Sequence, residues 1–272
     1  MTPFRRLYAA VRVVAFAAVV WLVNAPATAD ELITLKTRPG VTQPILLWQP
    51  SPADPQVVLL LFPGAGGNVG FERKGDRIEA NGTYLFSHHR DLLVRSEVVV
   101  AVTDAPSDQP DMDSEFRRSA KHFEDMTAVA RELNDRYPKA RLVLLGHSRG
   151  TVSAAYVGQA LGDRVAAVIL MAGFYERNLW RGVGLSEFDF DALKIPVLIV
   201  HHVKDRCPST LFGPAQKLSR RLPAIIVDGP DEAKSDQPCI PGTNHWFDGK
   251  EKETLDQVLN WIHGRAWTRL IR

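Results

Sequence analysis

The stretch LVLLGHSRG, Leu142 to Gly150, decides the fold that this sequence predicts. A short apolar run ends abruptly at Gly146, and a helix-like stretch follows directly after Gly150. A strand that passes into a helix through Gly-x-Ser-x-Gly makes a sharp turn with the serine at its tip. We expect a strained backbone at Ser148, and glycines beside it because a Cβ there would collide with the neighbouring strand and helix. The pattern predicts a nucleophile, and the alternative is a glycine-rich turn whose serine only caps the helix.

Apolar strand candidates alternate with helical patterns along the rest of the chain. The strand candidates are 45–48, 57–62, 98–102, 142–145, 165–170, 195–200 and 224–227. The helical patterns are 84–94, 114–137, 148–161, 214–222 and 253–265. Continuous apolar strands indicate a sheet covered on both faces. The alternation predicts an α/β fold, a doubly wound, mostly parallel sheet of about 7–8 strands with helices on both faces.

The first 29 residues are typical of a secretory signal peptide. A basic start is followed by an unbroken apolar stretch from Val13 to Val23 and by a small-residue cleavage site, Ala27-Thr28-Ala29. The alternative is a membrane anchor, although the apolar run is short for a span. We therefore expect residues 30–272 to form a single α/β domain with a short cap at 173–194, exported to the periplasm or the extracellular space.

The charge balance excludes some classes of partner. Loss of residues 1–29 removes three arginines and no acids, which leaves 30 basic and 31 acidic residues. A nearly neutral chain gives no reason to expect nucleic acid or an anionic membrane as a partner. The oligomeric state is left open by the sequence.

Two histidine pairs, His88-His89 and His201-His202, raise the question of a metal. No further Asp, Glu or Cys spacing supports a metal site, so we expect neither a metal nor a cofactor. The two cysteines, Cys207 and Cys239, are expected to form a disulfide because export permits one. The alternative is a pair of buried free thiols.

A serine nucleophile needs a base, and the base needs an acid that orients it. In a doubly wound sheet both should lie in loops after later strands. Asp205 lies just beyond the end of the strand candidate 195–200, and His245 lies in a long loop ahead of the last helix. Asp228, Asp231 and Asp236 are competing acids. A Cys207–Cys239 bridge would join the acid loop to the histidine loop, which requires Asp205 and His245 to converge.

The chain resembles the α/β-hydrolase superfamily over roughly residues 55 to 265, by the turn around Ser148, the acid Asp205 and the late His245. The resemblance implies that Ser148 is the nucleophile, His245 the general base and then acid, and Asp205 the orienting carboxylate. The segment Phe62–Gly67 resembles the family's oxyanion loop, with Pro63 where histidine is common. The implied oxyanion donors are the backbone amides of Ala65 or Gly64 and of Arg149, and the alternative is an ordinary glycine turn.

These parts predict acyl transfer to water on a small-molecule ester or related acyl substrate. A peptidase, an acyltransferase or a catalytically silent binding protein on the same fold are the alternatives. Aromatic residues in the segment 174–193 either line an acyl pocket or pack on the core, and the sequence alone does not name the acyl group.

Overall fold

The structure is a computed structural model that describes residues 29–50, 54–75, 77–80, 84–95, 97–230 and 235–272. Its strands, in chain order, are β1 (Ala29–Arg38), β2 (Val41–Gln49), β3 (Val57–Phe62), β4 (Phe71–Lys74), β5 (Arg77–Ala80), β6 (Val98–Thr103), β7 (Arg141–His147), β8 (Ala167–Met171), β9 (Val197–His202), β10 (Ala224–Val227) and β11 (Leu270–Ile271). Its helices are α1 (Leu85–His88), α2 (Arg90–Leu93), α3 (Ser114–Arg117), α4 (Ala120–Arg136), α5 (Gly150–Leu161), α6 (Phe212–Leu218) and α7 (Glu251–Ile262).

Within these ranges, nine strands form one sheet in the order β1-β2-β6-β3-β7-β8-β9-β10-β11, and β4 pairs with β5 as a separate hairpin. From β6 to β11 every neighbouring pair is parallel, whereas β1–β2 and β2–β6 are antiparallel. The predicted mostly parallel sheet is confirmed. It has two strands beyond those the sequence indicated, β1 and β11, at its two edges. The predicted signal peptide lies outside the described residues except for Ala29, the first residue of β1.

Alternate residues of each central strand enter two different cores. In β3, Val57, Leu59 and Leu61 pack in a cluster with α1, α2 and α7, on one face of the sheet. Val58, Leu60 and Phe62 pack on the other face with α4, α5 and α6. The strand is apolar at every position because both of its faces are covered.

Two predicted helices are each divided in the structure. His89 separates α1 from α2, and Arg118 and Ser119 separate α3 from α4. The Ser119 hydroxyl accepts a hydrogen bond from the amide of His122, so this serine caps α4 rather than continuing α3. None of the helices in the described part of the chain is long and apolar enough to span a bilayer.

Candidate active site

Ser148 lies between β7 and α5, at the carboxyl edge of the sheet, in a backbone conformation that side chains rarely adopt. Its φ is 55°, and its amide donates to the carbonyl of Met171 at 3.0 Å. A Cβ on Gly146 would overlap the Gly150 carbonyl, and a Cβ on Gly150 would overlap the Phe62 carbonyl. The expected strained turn, with glycines required on both sides by close backbone approach, is therefore present.

Gly150→Ala should destabilise the chain because the methyl group would push α5 away from β3. We expect the free energy of unfolding to fall by about 2 kcal/mol or more, as for other overpacked buried positions. Gly213→Ala is the matched control, since Gly213 lies in α6 and no atom comes within 4 Å of the place that its methyl group would take. Urea unfolding of both variants measures the difference, and equal stability would contradict the close approach.

Asp205 and His245 are hydrogen-bonded to each other. Asp205 lies in the loop after β9 and His245 in a short 3₁₀ turn, Asn244–Trp246. His245 Nδ1 is 2.9 Å from Asp205 Oδ2, and both side chains are buried. A carboxylate can only accept, so His245 carries its proton on Nδ1 and leaves Nε2 free to accept one. That is the tautomer a general base requires.

The Asp205 carboxylate has three further neighbours besides His245. The Cys207 amide donates to Oδ1 at 2.9 Å, and the Thr210 hydroxyl donates to Oδ2 at 3.0 Å. His201 Nε2 lies 3.5 Å from Oδ2. Burial opposes the charged carboxylate, but the charge and hydrogen bonds of His245 and His201 outweigh it and hold the pKa of Asp205 well below its usual range.

The competing acids lie in different surroundings. Asp228 and Asp236 are exposed, and Asp228 pairs with Lys204 at 3.5 Å. Asp231 lies outside the described residues. Of the candidate acids that the structure describes, Asp205 is therefore the one buried against the His245 ring.

His147 connects the serine turn to the histidine loop. Its ring packs on that of His245, with centroids 4.8 Å apart, and its Nε2 donates to the His245 carbonyl at 3.1 Å. Ser148, the next residue, is thereby brought to the same edge of the sheet as His245. Among the hydrogen bonds of the described residues, none joins the Ser148 hydroxyl to His245, so the serine–histidine link is part of the proposal below.

The buried state of His147 makes stability depend on pH. Burial, with the charge of His245, lowers the pKa of His147 from 6.5 to about 3. In the unfolded chain His147 therefore binds a proton near pH 6.5, whereas in the folded chain it stays neutral at that pH. The free energy of unfolding is lost as the pH falls below 6.5. Between pH 6.5 and 5.5 we expect the unfolding free energy of His147→Gln to fall by roughly 1 kcal/mol less than that of the wild type. Denaturant titrations at several pH values test this, and parallel curves would contradict it.

Cys207 and Cys239 form a disulfide with a Cα–Cα distance of 4.8 Å, which confirms the predicted pairing. Cys207 stands two residues after Asp205 and binds its carboxylate through the backbone, while the Cys239 carbonyl accepts from the Trp246 indole beside His245. The bridge therefore joins the two loops that carry the acid and the histidine, which do converge.

Removal of the disulfide should affect both stability and the acid–histidine pair. It closes a loop with a sequence separation of 32 residues. In the chain-entropy treatment such a loop contributes about 3–4 kcal/mol. We expect the double variant Cys207→Ser, Cys239→Ser to lose that much unfolding free energy and to hydrolyse esters more slowly per folded molecule. The wild type with its disulfide reduced should behave in the same way. A double variant with the stability and hydrolysis rate of the wild type would contradict the prediction.

The loop after β3 passes beside Ser148. A Cβ on Gly64 would stand 3.0 Å from the Ser148 Cβ, and Ala65 follows with a φ of 44° and an exposed side chain. Among the described residues, no hydrogen bond uses the amides of Gly64, Ala65 or Arg149. Gly64 thus lies beside Ser148 in space, Ala65 follows it in the loop, and Arg149 follows Ser148 in sequence, all three with amides that no hydrogen bond of the described residues uses.

Sequence reasoning missed Thr210 and set His201 aside. Thr210 Oγ1 lies 3.0 Å from His245 Nδ1 as well as from Asp205, and its carbonyl accepts from His201 Nε2 at 2.7 Å. Thr210 follows Asp205 closely within one loop, and this short spacing was the sequence signal that could have identified it as a neighbour of the acid. The aromatic residues of the segment 174–193 mainly join the core: Phe174, Tyr175, Phe188 and Phe190 are buried there.

No three potential metal ligands are grouped in the parts of the chain that the structure covers. Of the two histidine pairs, His201 and His202 are buried in β9, and burial lowers the pKa of His202 to about 4.

The sequence matches no known family profile and no curated protein. Several solved structures nevertheless share the fold of nearly the whole chain. A serine hydrolase without lid from Xanthomonas campestris is 15% identical with a TM-score of 0.58, over 88% of this chain and 95% of that one. Est1E from Butyrivibrio proteoclasticus, also solved with ferulic acid, is 14% identical with a TM-score of 0.60, over 86% and 98%. Dienelactone hydrolase from Anabaena variabilis is 11% identical with a TM-score of 0.59, over 88% and 98%. At such identities the likeness establishes the fold.

Proposed function

We propose that this chain, which has the α/β-hydrolase fold, is a serine hydrolase that cleaves carboxylic esters. The observation that carries the proposal is the strained turn at Ser148, whose neighbour His147 packs against the buried Asp205–His245 pair at the same edge of the sheet. A turn of this kind costs free energy, and such strain is characteristic of functional positions. The esterases and hydrolases among the similar structures support the same reaction class.

In the proposed reaction His245 Nε2 takes the Ser148 proton as the hydroxyl attacks the carbonyl carbon. Asp205 stabilises the imidazolium that forms and keeps its Nδ1 proton in place. The amides of Ala65 and Arg149 stabilise the oxyanion, with Gly64 as the other candidate donor. His245 then protonates the leaving alcohol, and a water molecule activated by His245 releases the acid from Ser148.

We infer a preference for small or soluble esters. The segment 173–194, which we interpret as a short cap, contains no helix in the structure, and most of its aromatic side chains are buried in the core. A helical lid of the kind that many lipases carry is therefore not formed by this segment. The lidless serine hydrolase among the similar structures is consistent with this interpretation.

Two measurements test the proposal. A fluorophosphonate probe should label the folded chain at one position, which peptide mapping should assign to Ser148. p-Nitrophenyl esters of rising chain length, together with methyl ferulate, should be hydrolysed with kcat/KM falling for long chains. A folded protein that resists the probe, or one that cleaves p-nitroanilides faster than every ester, would overturn the assignment.

We also propose that the chain is exported, with residues 1–29 as a cleaved signal peptide and residues 30–272 as a single domain. The disulfide supports this location, because disulfides persist in oxidising compartments. Fractionation of cells that express the full chain should recover a protein that begins at Asp30 outside the cytoplasm. Recovery of the uncleaved chain in the cytoplasm or the membrane would contradict the proposal.

A further inference from the structure

Arg117 is a fully buried guanidinium that forms no ion pair with a carboxylate of the described residues, although the charges of Asp111 and Asp113 act on it at longer range. It is the last residue of α3 and 0% exposed. None of the ion pairs among the described residues includes it. Burial and the charge of the nearby Arg149 lower the pKa of Arg117 to about 9, so the group stays charged at neutral pH. A buried charge without a counter-ion in contact is costly, and its hydrogen bonds must compensate for the lost water.

Two of the four hydrogen bonds that Arg117 donates go to the loop that passes Ser148. One terminal nitrogen of Arg117 donates to the carbonyls of Pro63 and Ala65 at 3.3 and 3.2 Å. The other donates to the Ser153 hydroxyl at 2.9 Å, and Nε donates to the carbonyl of Met112 at 3.2 Å. A guanidinium offers five donors in one plane, so a single side chain can hold several carbonyls at fixed positions.

The remaining carbonyls of the loop are also satisfied from within the protein. The Gly64 carbonyl accepts from the Gly67 amide at 2.9 Å, and the Gly66 carbonyl accepts from the Met112 amide at 2.8 Å. All four carbonyls from Pro63 to Gly66 therefore have donors. In contrast, no hydrogen bond among the described residues uses the amides of Gly64, Ala65 or Gly66. The loop thus has its acceptors occupied and its donors free.

We propose that Arg117 is a positioning residue that fixes the oxyanion loop with its carbonyls held by the protein interior and its amides available beside Ser148. The inference rests on the proposed hydrolase function. Holding the carbonyls of Pro63 and Ala65 orients the peptide planes on either side of Gly64 and Ala65. The positive charge also polarises the Pro63–Gly64 and Ala65–Gly66 peptide groups, which strengthens the amides of Gly64 and Gly66 as donors, while the Ala65 amide lies in the peptide group held between them.

Ser153 and His122 support Arg117 from the opposite side. Ser153 lies on α5, and its hydroxyl is 3.0 Å from Nε2 of the buried His122 on α4. Burial, with the charge of Arg117, lowers the pKa of His122 to about 3, so this histidine is neutral and adds no second positive charge. The guanidinium is therefore fixed between α5, which begins at the serine turn, and the oxyanion loop.

The test compares Arg117→Met and Arg117→Lys with Arg141→Met. Arg141 is the matched control because its guanidinium also donates to a backbone carbonyl, that of Ile262 at 2.9 Å, but at the opposite end of β7. Oxyanion donors act in the transition state, so we expect kcat per folded molecule to fall about 10²-fold in Arg117→Met with KM nearly unchanged. Arg117→Lys keeps the charge but not the fork, and should lie between wild type and Arg117→Met.

Hydrogen exchange of the two amides that bind the loop carbonyls, Gly67 to Gly64 and Met112 to Gly66, gives a readout that does not need activity. Both amides should exchange faster in Arg117→Met and Arg117→Lys but not in Arg141→Met. Loop exchange and kcat equal to those of Arg141→Met would overturn the inference, as would a loss confined to thermal stability. If Arg117→Met fails to fold, Arg117→Lys decides. A wild type that neither reacts with the fluorophosphonate nor cleaves any ester would refute the proposed function, while the exchange rates would still decide whether Arg117 holds the loop.

Discussion

Ser148→Ala should lower kcat for ester hydrolysis by about 10⁵- to 10⁶-fold and abolish labelling by a fluorophosphonate. The variant removes the only atom proposed to form a bond with substrate. Unfolding would not explain the loss, because alanine already adopts the same backbone region at Ala65 and Ala172, where φ is 44°. The Ser148 amide can still donate to the Met171 carbonyl in the variant.

Ser219→Ala is the control for this prediction. Its hydroxyl donates to the Gln216 carbonyl at the end of α6, so a similar hydrogen bond to the backbone is lost without any contact with the site. Initial rates with p-nitrophenyl acetate and probe labelling should be measured on both variants at matched folded fractions. Residual activity of Ser148→Ala within tenfold of wild type would indicate another nucleophile or a contaminating esterase. Purification of the variant with a different tag distinguishes these two, because only a contaminant would be lost.

The features that could be predicted from sequence are those fixed by local constraints. The turn at Ser148 follows from two glycines that no other residue can replace, and central strands such as β3 are apolar at every position because both faces are buried. The convergence of Asp205 with His245 followed from their place after later strands and from the two cysteines. Each of these signals is a short pattern around one residue, and only the cysteine pair, with a sequence separation of 32, joins two such patterns.

The features that escaped prediction depend on contacts distant in sequence. β1 is only partly buried, has no continuous apolar run and begins at Ala29, the last residue of the predicted signal peptide. β11 has two residues and forms because its backbone pairs with β10. Arg117 is in a helical stretch where an arginine is expected to face solvent, and its burial is set by the loop after β3, which is more than 50 residues away in the chain. Sequence periodicity carries no information about such a partner.

Asp205→Asn should lower kcat by about 10⁴-fold while leaving KM nearly unchanged. The Cys207 amide donates to Oδ1 and would keep the amide oxygen of asparagine at that position. The NH₂ group would then replace Oδ2 and face His245 Nδ1, from which it cannot accept a proton. His245 would move its proton to Nε2, the atom that must accept the proton of Ser148. The variant thus changes which nitrogen is protonated and leaves the ester contacts in place.

Asp228→Asn distinguishes this mechanism from a general loss of negative charge. Asp228 is exposed at the end of the neighbouring strand β10, pairs with Lys204 at 3.5 Å, and is a competing candidate for the acid by its place in the chain. Its replacement should change kcat by less than about twofold, since a surface ion pair contributes little. A large loss in Asp228→Asn with a small one in Asp205→Asn would transfer the orienting role to Asp228. Comparable losses in both would indicate that the field of the loop, rather than the tautomer of His245, controls the rate.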